Sequence, residues 1–93
     1  MTKAPDLTLY TDSSPNGFKI TIALEELELP YTLEHVHIEQ GEHRRPEFLQ
    51  LNPHGRIPVL VDHRPDGDVV VWESLAIVEY LAERHAGVWP TDA

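Results

Sequence analysis

Two hydroxyls, an amide, a proline and a glycine crowd into the run SSPNGFK, Ser13 to Lys19, between a β-like stretch and a helical one. Ser and Asn cap helices, and Asn-Gly favours turns, so a purely local role is open to them. A cap also leaves donors pointing past the helix end, so Ser13, Ser14 and Asn16 are equally placed to meet an anion. A second stretch, ESLAI, puts Glu73 just before a helix and Ser74 in its first turn. A helix N-terminus with a hydroxyl can bind a carboxylate while Glu73 attracts an ammonium, although a serine there is also an ordinary N-cap.

Two further stretches carry chemistry. GEHRRPEF offers His43, Arg44 and Arg45, a basic cluster in an acidic chain that also reads as a solvated loop. In NPHGRIPVL, His54 and Arg56 lead to Pro58, which has no backbone N–H to donate. A cis bond before Pro58 turns the Ile57 N–H and C=O toward open space, where an extended peptide can pair with them; a trans proline opening a strand is the ordinary alternative. The six histidines show no metal-ligand spacing, and HVH, on a strand with no third partner, reads as scaffold.

Composition narrows the classes. The 93 residues, 41% apolar, suffice for one compact domain with one core. With 7 basic against 16 acidic residues the net charge is -9, which repels nucleic acid and anionic membranes from most of the surface. There is no cysteine, so disulfides, thiolate metal sites and redox chemistry on a protein thiol are excluded, and any thiol must come from a cofactor. No window approaches the roughly 18 apolar residues of a membrane span, and no leader pattern opens the chain. A soluble cytoplasmic protein is expected.

The elements that must position these residues follow from periodicity. LTLY, Leu7 to Tyr10, reads as a strand, and TDSSPN as a loop. Ile20, Ala23, Leu24 and Leu27 recur at helical spacing from Gly17 to Glu28, and Pro30 stops the run. YTLEHVHI, Tyr31 to Ile38, is β-prone and closes a βαβ unit with parallel strands. PEFLQL makes a short helix with little burial, and IPVLVD and VVVW form an antiparallel hairpin around an Asp66-Gly67 turn. A last helix runs from Ser74 to about His85 with Leu75, Val78, Leu81 and Ala82 as its apolar stripe and Gly87 as its stop.

The order β-α-β-α-β-β-α, together with SSPNGFKITIALEELELPY, RPEFLQLNPHGRIPVLVD and ESLAIVEYLAE, resembles the N-terminal, thioredoxin-like domain of glutathione transferases, most of all the bacterial nu-class and related fungal proteins. The resemblance covers nearly all of residues 1–93. It implies an α/β thioredoxin-like fold with a four-stranded mixed sheet, and it implies that the C-terminal all-helical domain of complete transferases is absent. It implies glutathione as substrate or cosubstrate, with no metal. On that pattern Ser14 and Asn16 stabilise the glutathione thiolate, with Ser13 and Tyr10 as rivals; a cis Ile57–Pro58 edge holds the cysteinyl part; Glu73 and Ser74 hold the γ-glutamyl end; and His43 holds the glycyl carboxylate. No role is assigned to Arg44, Arg45, His54 or Arg56.

Because the chain has no thiol, the implied reactions run through glutathione's own sulfur: conjugation, or the disulfide exchange that suits the nu-like match, with weak or absent activity in the absence of the helical domain. A non-catalytic transferase-like interaction module is the competing expectation, and a thioredoxin-fold scaffold that binds no glutathione a third. Phe18 and Ile22 lie opposite the first helix's core stripe, and with Tyr80 they are expected to form one exposed apolar patch that supports dimerisation or docks a helical partner.

Overall fold

The computed structural model describes residues 6–84. A four-stranded sheet of order β2-β1-β3-β4 is built from β1 (Leu7–Thr11), β2 (Thr32–His35), β3 (Val59–Arg64) and β4 (Gly67–Trp72). β1 pairs parallel with β2, Thr8 opposite Thr32, and antiparallel with β3, Leu9 opposite Leu60. β3 and β4 form the hairpin. The helices α1 (Pro15–Glu26) and α3 (Ser74–Arg84) lie on one face, and the short α2 (Pro46–Leu51) lies on the other. This is the mixed thioredoxin-like arrangement expected of the β-α-β-α-β-β-α order.

Side-chain alternation explains why one sheet serves two cores. Leu7 and Leu9 of β1 and Leu60 of β3 meet Ile20 and Leu24 of α1 and Ile77 and Leu81 of α3. Val59 and Val61 point the opposite way, to Val36 and Phe48. Each fully buried aliphatic side chain contributes about 1.5–3 kcal/mol.

Several local expectations change. β2 keeps only Thr32–His35 of the anticipated Tyr31–Ile38 run: the Val36 N–H makes the last bond to β1, on the Thr11 carbonyl at 2.8 Å, and Val36 itself enters the second core. α2 buries Phe48 to 6% exposure, so this short helix anchors the second core where little burial was expected. The hairpin's last pair is Arg64 opposite Gly67, which makes Pro65 and Asp66 the central turn residues and puts Gly67 at the fourth position with φ +133. In α3 the buried pair is Ile77 and Leu81, whereas Leu75 is 64% exposed. The Gly87 stop and Trp89 lie outside the described residues. No described helix is long and apolar enough to cross a membrane.

The expected patch of Phe18, Ile22 and Tyr80 is corrected. Phe18 and Ile22 are 54% and 60% exposed. Phe18 shares a depression with Leu33 of the edge strand β2. Tyr80 instead packs against the α1–α3 core and donates its hydroxyl to Asp62 Oδ2 at 2.5 Å, with the Arg84 guanidinium 4.8 Å from its ring centre. Its polar tip has a partner on β3, which draws the ring out of the exposed surface.

Candidate functional site

A cleft of about 520 Å³ opens where three chain segments converge: the first turn of α1, the connection into β3, and the junction of β4 with α3. Asn16, Ile57, Pro58, Glu73 and Ser74 all line it, so five of the seven residues singled out from sequence share one site. Asn52, His54, Arg56, Trp72 and Leu75 complete the lining.

Ser14, two residues before Asn16, is not among the lining residues. It is the N-cap of α1, in an extended conformation, and its Oγ accepts from the Gly17 N–H at 3.0 Å. That bond uses one lone pair and leaves the O–H free to donate, so capping and anion binding coexist. Gly17 must be glycine: a Cβ there would lie 2.3 Å from Thr11 Oγ1 and 2.9 Å from the Asp12 carbonyl oxygen. Tyr10 is elsewhere. It projects to the opposite face of the sheet, edge-on to Phe48 with ring centres 6.4 Å apart, and lines a different cleft. Ser13 is exposed, its N–H given to Asp12.

At the α3 end, the Ile77 N–H donates to the Glu73 carbonyl at 3.0 Å, which makes Glu73 the capping position and Ser74 the first helical residue. The Ser74 hydroxyl therefore does not serve as the N-cap, and it has no hydrogen-bond partner among the described residues. Glu73 itself has φ +76, a left-handed conformation that costs a non-glycine residue about 1–3 kcal/mol and collects at ligand clamps. Two helix N-termini thus face one cleft, each equivalent to about half a positive charge, with first-turn N–H groups that no carbonyl of the helix takes.

The third wall is set by Asn52, which sequence reasoning did not single out. It is 2% exposed. Its Nδ2 donates to the Arg56 carbonyl at 2.9 Å and its Oδ1 accepts from the His54 N–H at 3.0 Å, folding residues 52–56 into a fixed loop. His54 then rests edge-on against Trp72, ring centres 5.0 Å apart. The next bond, Ile57–Pro58, is cis, as the sequence reading expected. Arg56 makes no ion pair among the described residues.

His43 is not among the lining residues. It sits in the turn Glu42–Arg44, and its backbone carbonyl would lie 3.2 Å from a Cβ placed on Gly55, so its turn abuts the cleft-forming loop. Its Nδ1 is buried without a hydrogen-bond partner. Among the described residues no group of three or more His, Asp or Glu side chains is arranged to hold a metal ion.

Charge is organised around the same loops. The Asp12 carboxyl is held down to about 2 by the His35 ring and by the N–H groups of Ser13 and Ile38. Glu42 is likewise lowered, chiefly by the N–H of His37 and then by its ring.

Residues 13–84 match the family described as glutathione S-transferase, N-terminal domain. The protein URE2 of Meyerozyma guilliermondii is 47% identical over 79 residues, 84% of this chain and 26% of that protein. The glutathione transferase URE2P6 of Phanerochaete chrysosporium, solved in complex with oxidized glutathione, superposes with a TM-score of 0.82 at 46% identity over 91% of this chain and 39% of its own. A glutathione transferase from Pseudomonas putida, solved with one glutathione disulfide bound per subunit, gives 0.87 at 35% identity, covering 98% and 41%. The chain therefore spans about a quarter to two fifths of these proteins. By sequence over residues 13–84 and by fold, it belongs to the glutathione S-transferase N-terminal domain family.

Proposed function

We propose that the cleft binds glutathione and stabilises its thiolate for attack on a disulfide or an electrophile. The observation that carries this reading is the convergence of two helix N-termini and the Ile57–Pro58 segment on one cleft, with Asn16, Glu73 and Ser74 side chains in its wall. The solved relatives with glutathione disulfide bound support disulfide exchange as the reaction.

In this reading Ser74 and the α3 N-terminus hold the γ-glutamyl carboxylate, and Glu73 takes the neighbouring ammonium. Ile57 pairs with the cysteinyl backbone, and His43, which lies outside the lining and abuts it through the Gly55 loop, is assigned to the glycyl carboxylate. The thiol proton leaves to water, and the Ser14 O–H and the Asn16 amide donate to the sulfur anion. A hydrogen bond to a charged group contributes about 1.5–3 kcal/mol, which lowers the thiol pKa by about one to two units. The thiolate attacks one sulfur of a disulfide, a new S–S bond forms as the old one breaks, and the second sulfur departs as a thiolate that takes a proton from water.

The bare side chains of Phe18 and Ile22 favour the second reading, a non-catalytic interaction module, and self-association through them is compatible with either. Calorimetric titration with millimolar glutathione, followed by a disulfide-reduction assay, separates the two. Binding with turnover supports the enzyme, binding without turnover the module, and no binding to folded protein removes both glutathione-based readings. In the enzyme, Asn16→Ala is expected to raise the pKa of bound glutathione by about one unit or more with little change in affinity. Thiolate absorbance that titrates identically in parent and variant defeats the assignment.

A further inference from the structure

Asp12 lies between β1 and the Ser14 cap, and its carboxylate is fully engaged. Oδ1 accepts from the Ser13 N–H at 2.7 Å and from the His35 Nε2–H at 2.6 Å, while Oδ2 accepts from the Ile38 N–H at 3.1 Å. His35 ends β2, and its ring stacks on His37 with centres 4.0 Å apart and planes inclined by 30°. His37 is held in turn by Glu42, whose Oε1 accepts from its N–H at 2.7 Å and from its Nδ1–H at 2.9 Å. Glu42 opens the turn that carries His43. A continuous run of charge-assisted hydrogen bonds and one ring stack therefore joins the loop before Asn16 to the turn of His43.

We propose that Asp12 is a positioning residue: through His35, His37 and Glu42 it keeps the Ser13–Asn16 loop and the Glu42–Arg44 turn in one register, so that the thiol and the glycyl carboxylate of a single glutathione are met together. This rests on the glutathione reading of the cleft. The mechanical link to the site is tight. Gly17 is packed so closely beneath Thr11 and Asp12 that a shift of Asp12 passes directly to the first turn of α1. At the other end, the N–H groups of His37 and Ile38 are both taken by carboxylates of this network, which fixes the start of the segment leading to His43. Bonds of this charged kind are roughly twice as strong as neutral ones.

Positioning and direct electrostatics predict opposite signs. A carboxylate near the sulfur disfavours the thiolate, so if Asp12 acted by its charge alone, Asp12→Asn would lower the thiol pKa. If Asp12 acts by holding Ser14 and Asn16 in place, the same variant raises it. Asparagine keeps the side chain's shape but has one acceptor oxygen in place of two and no charge.

The test uses the full 93-residue chain. Amide hydrogen exchange without ligand is expected to speed by about tenfold at both Ser13–Gly17 and His37–His43 in Asp12→Asn and in His35→Ala, with the β3 amides unchanged. His35→Gln, whose amide can still donate to Asp12, is expected to stay within about threefold of the parent. Acceleration confined to one of the two segments overturns the proposal. With glutathione bound, the thiol pKa is expected to rise by about half a unit or more in Asp12→Asn and His35→Ala and to return toward the parent value in His35→Gln. An unchanged or lowered pKa overturns it. If the parent binds no glutathione, the reading of the cleft falls, and the ligand-free exchange measurement still decides for or against the coupling of the two loops. The exposed His35 variants keep the question answerable should Asp12→Asn fail to fold.

Discussion

Asn52 satisfies two backbone groups of its own loop from a site that is 2% exposed. Truncation to alanine takes the partner from the Arg56 carbonyl and the His54 N–H, both only partly buried, so each loss falls in the lower part of the range of about 1–3 kcal/mol, about 1–2 kcal/mol apiece. Asn52→Ala is therefore expected to lose about 2–4 kcal/mol in urea unfolding and to weaken glutathione binding, because the loop it shapes leads into Ile57. Asn52→Asp is expected to be worse still: a carboxylate cannot donate to the Arg56 carbonyl and would bury a charge. Asp12 gives a pH signature. Its folded-state carboxyl, at about 2 against an ordinary 3.8, binds protons less readily than the unfolded chain does, so its contribution is complete above about pH 4 and is lost as pH falls through about 2. The Tm difference between the parent and Asp12→Asn is expected to close as pH falls from about 4 to about 2. At this scale Asn16, Glu73 and Ser74 were legible because each stands at the start of a helix that periodicity reveals. Asn52 was not. An Asn before a Pro reads as any exposed turn, and only the packing of the folded chain shows that this one is buried.

α1 ends in a Schellman arrangement, with the Leu29 N–H on the Leu24 carbonyl and the Glu28 N–H on the Glu25 carbonyl, both at 3.0 Å. The left-handed position falls to Glu28, φ +55, where a glycine is usual, and its charge adds to Glu25 and Glu26 at the negative end of the helix dipole. Glu28→Gly relieves about 1–2 kcal/mol of backbone cost and about 0.3–1 of dipole repulsion, against about 0.4–1 from the looser unfolded chain. A net gain of about 1 kcal/mol is expected, seen as a Tm higher by roughly 4–8 °C. A Tm that falls refutes this account of the turn. Elements with a strong period were readable: Ile20 and Leu24 of α1 and Pro58 to Val61 of IPVLVD end up buried where periodicity put them, with Ala23 and Leu27 partly buried against the same core. β2 and α2 were less so, for a common reason. Val36 and Phe48 are buried against each other and against β3, a long-range contact that neither local sequence announces, and that contact both shortens the strand and gives the short helix its anchor.

For the whole molecule, the net charge of -9 and the bare pair Phe18 and Ile22 act in opposite directions. Two copies repel through water, yet covering each of these side chains is worth up to about 1.5–3 kcal/mol. The edge strand β2 lies beside Phe18, but it is only four residues long and carries Glu34 and His35, features that blunt edge-to-edge pairing, so the helix face offers the better contact. Salt decides the balance. Repulsion between surface charges is screened beyond a Debye length of about 10 Å at 0.1 M and about 3 Å at 1 M, whereas apolar burial is not screened. Association through Phe18 and Ile22 is therefore expected to strengthen as salt is raised, the reverse of an interface held by ion pairs. Light scattering of the parent is expected to show a mass above the monomer's that grows with salt, while a Phe18→Ser, Ile22→Ser double variant stays monomeric with an unchanged circular dichroism spectrum. A parent that remains strictly monomeric at every salt concentration, or a double variant that associates equally well, shows that these side chains are merely scattered exposed hydrophobics, which a soluble domain tolerates without a partner.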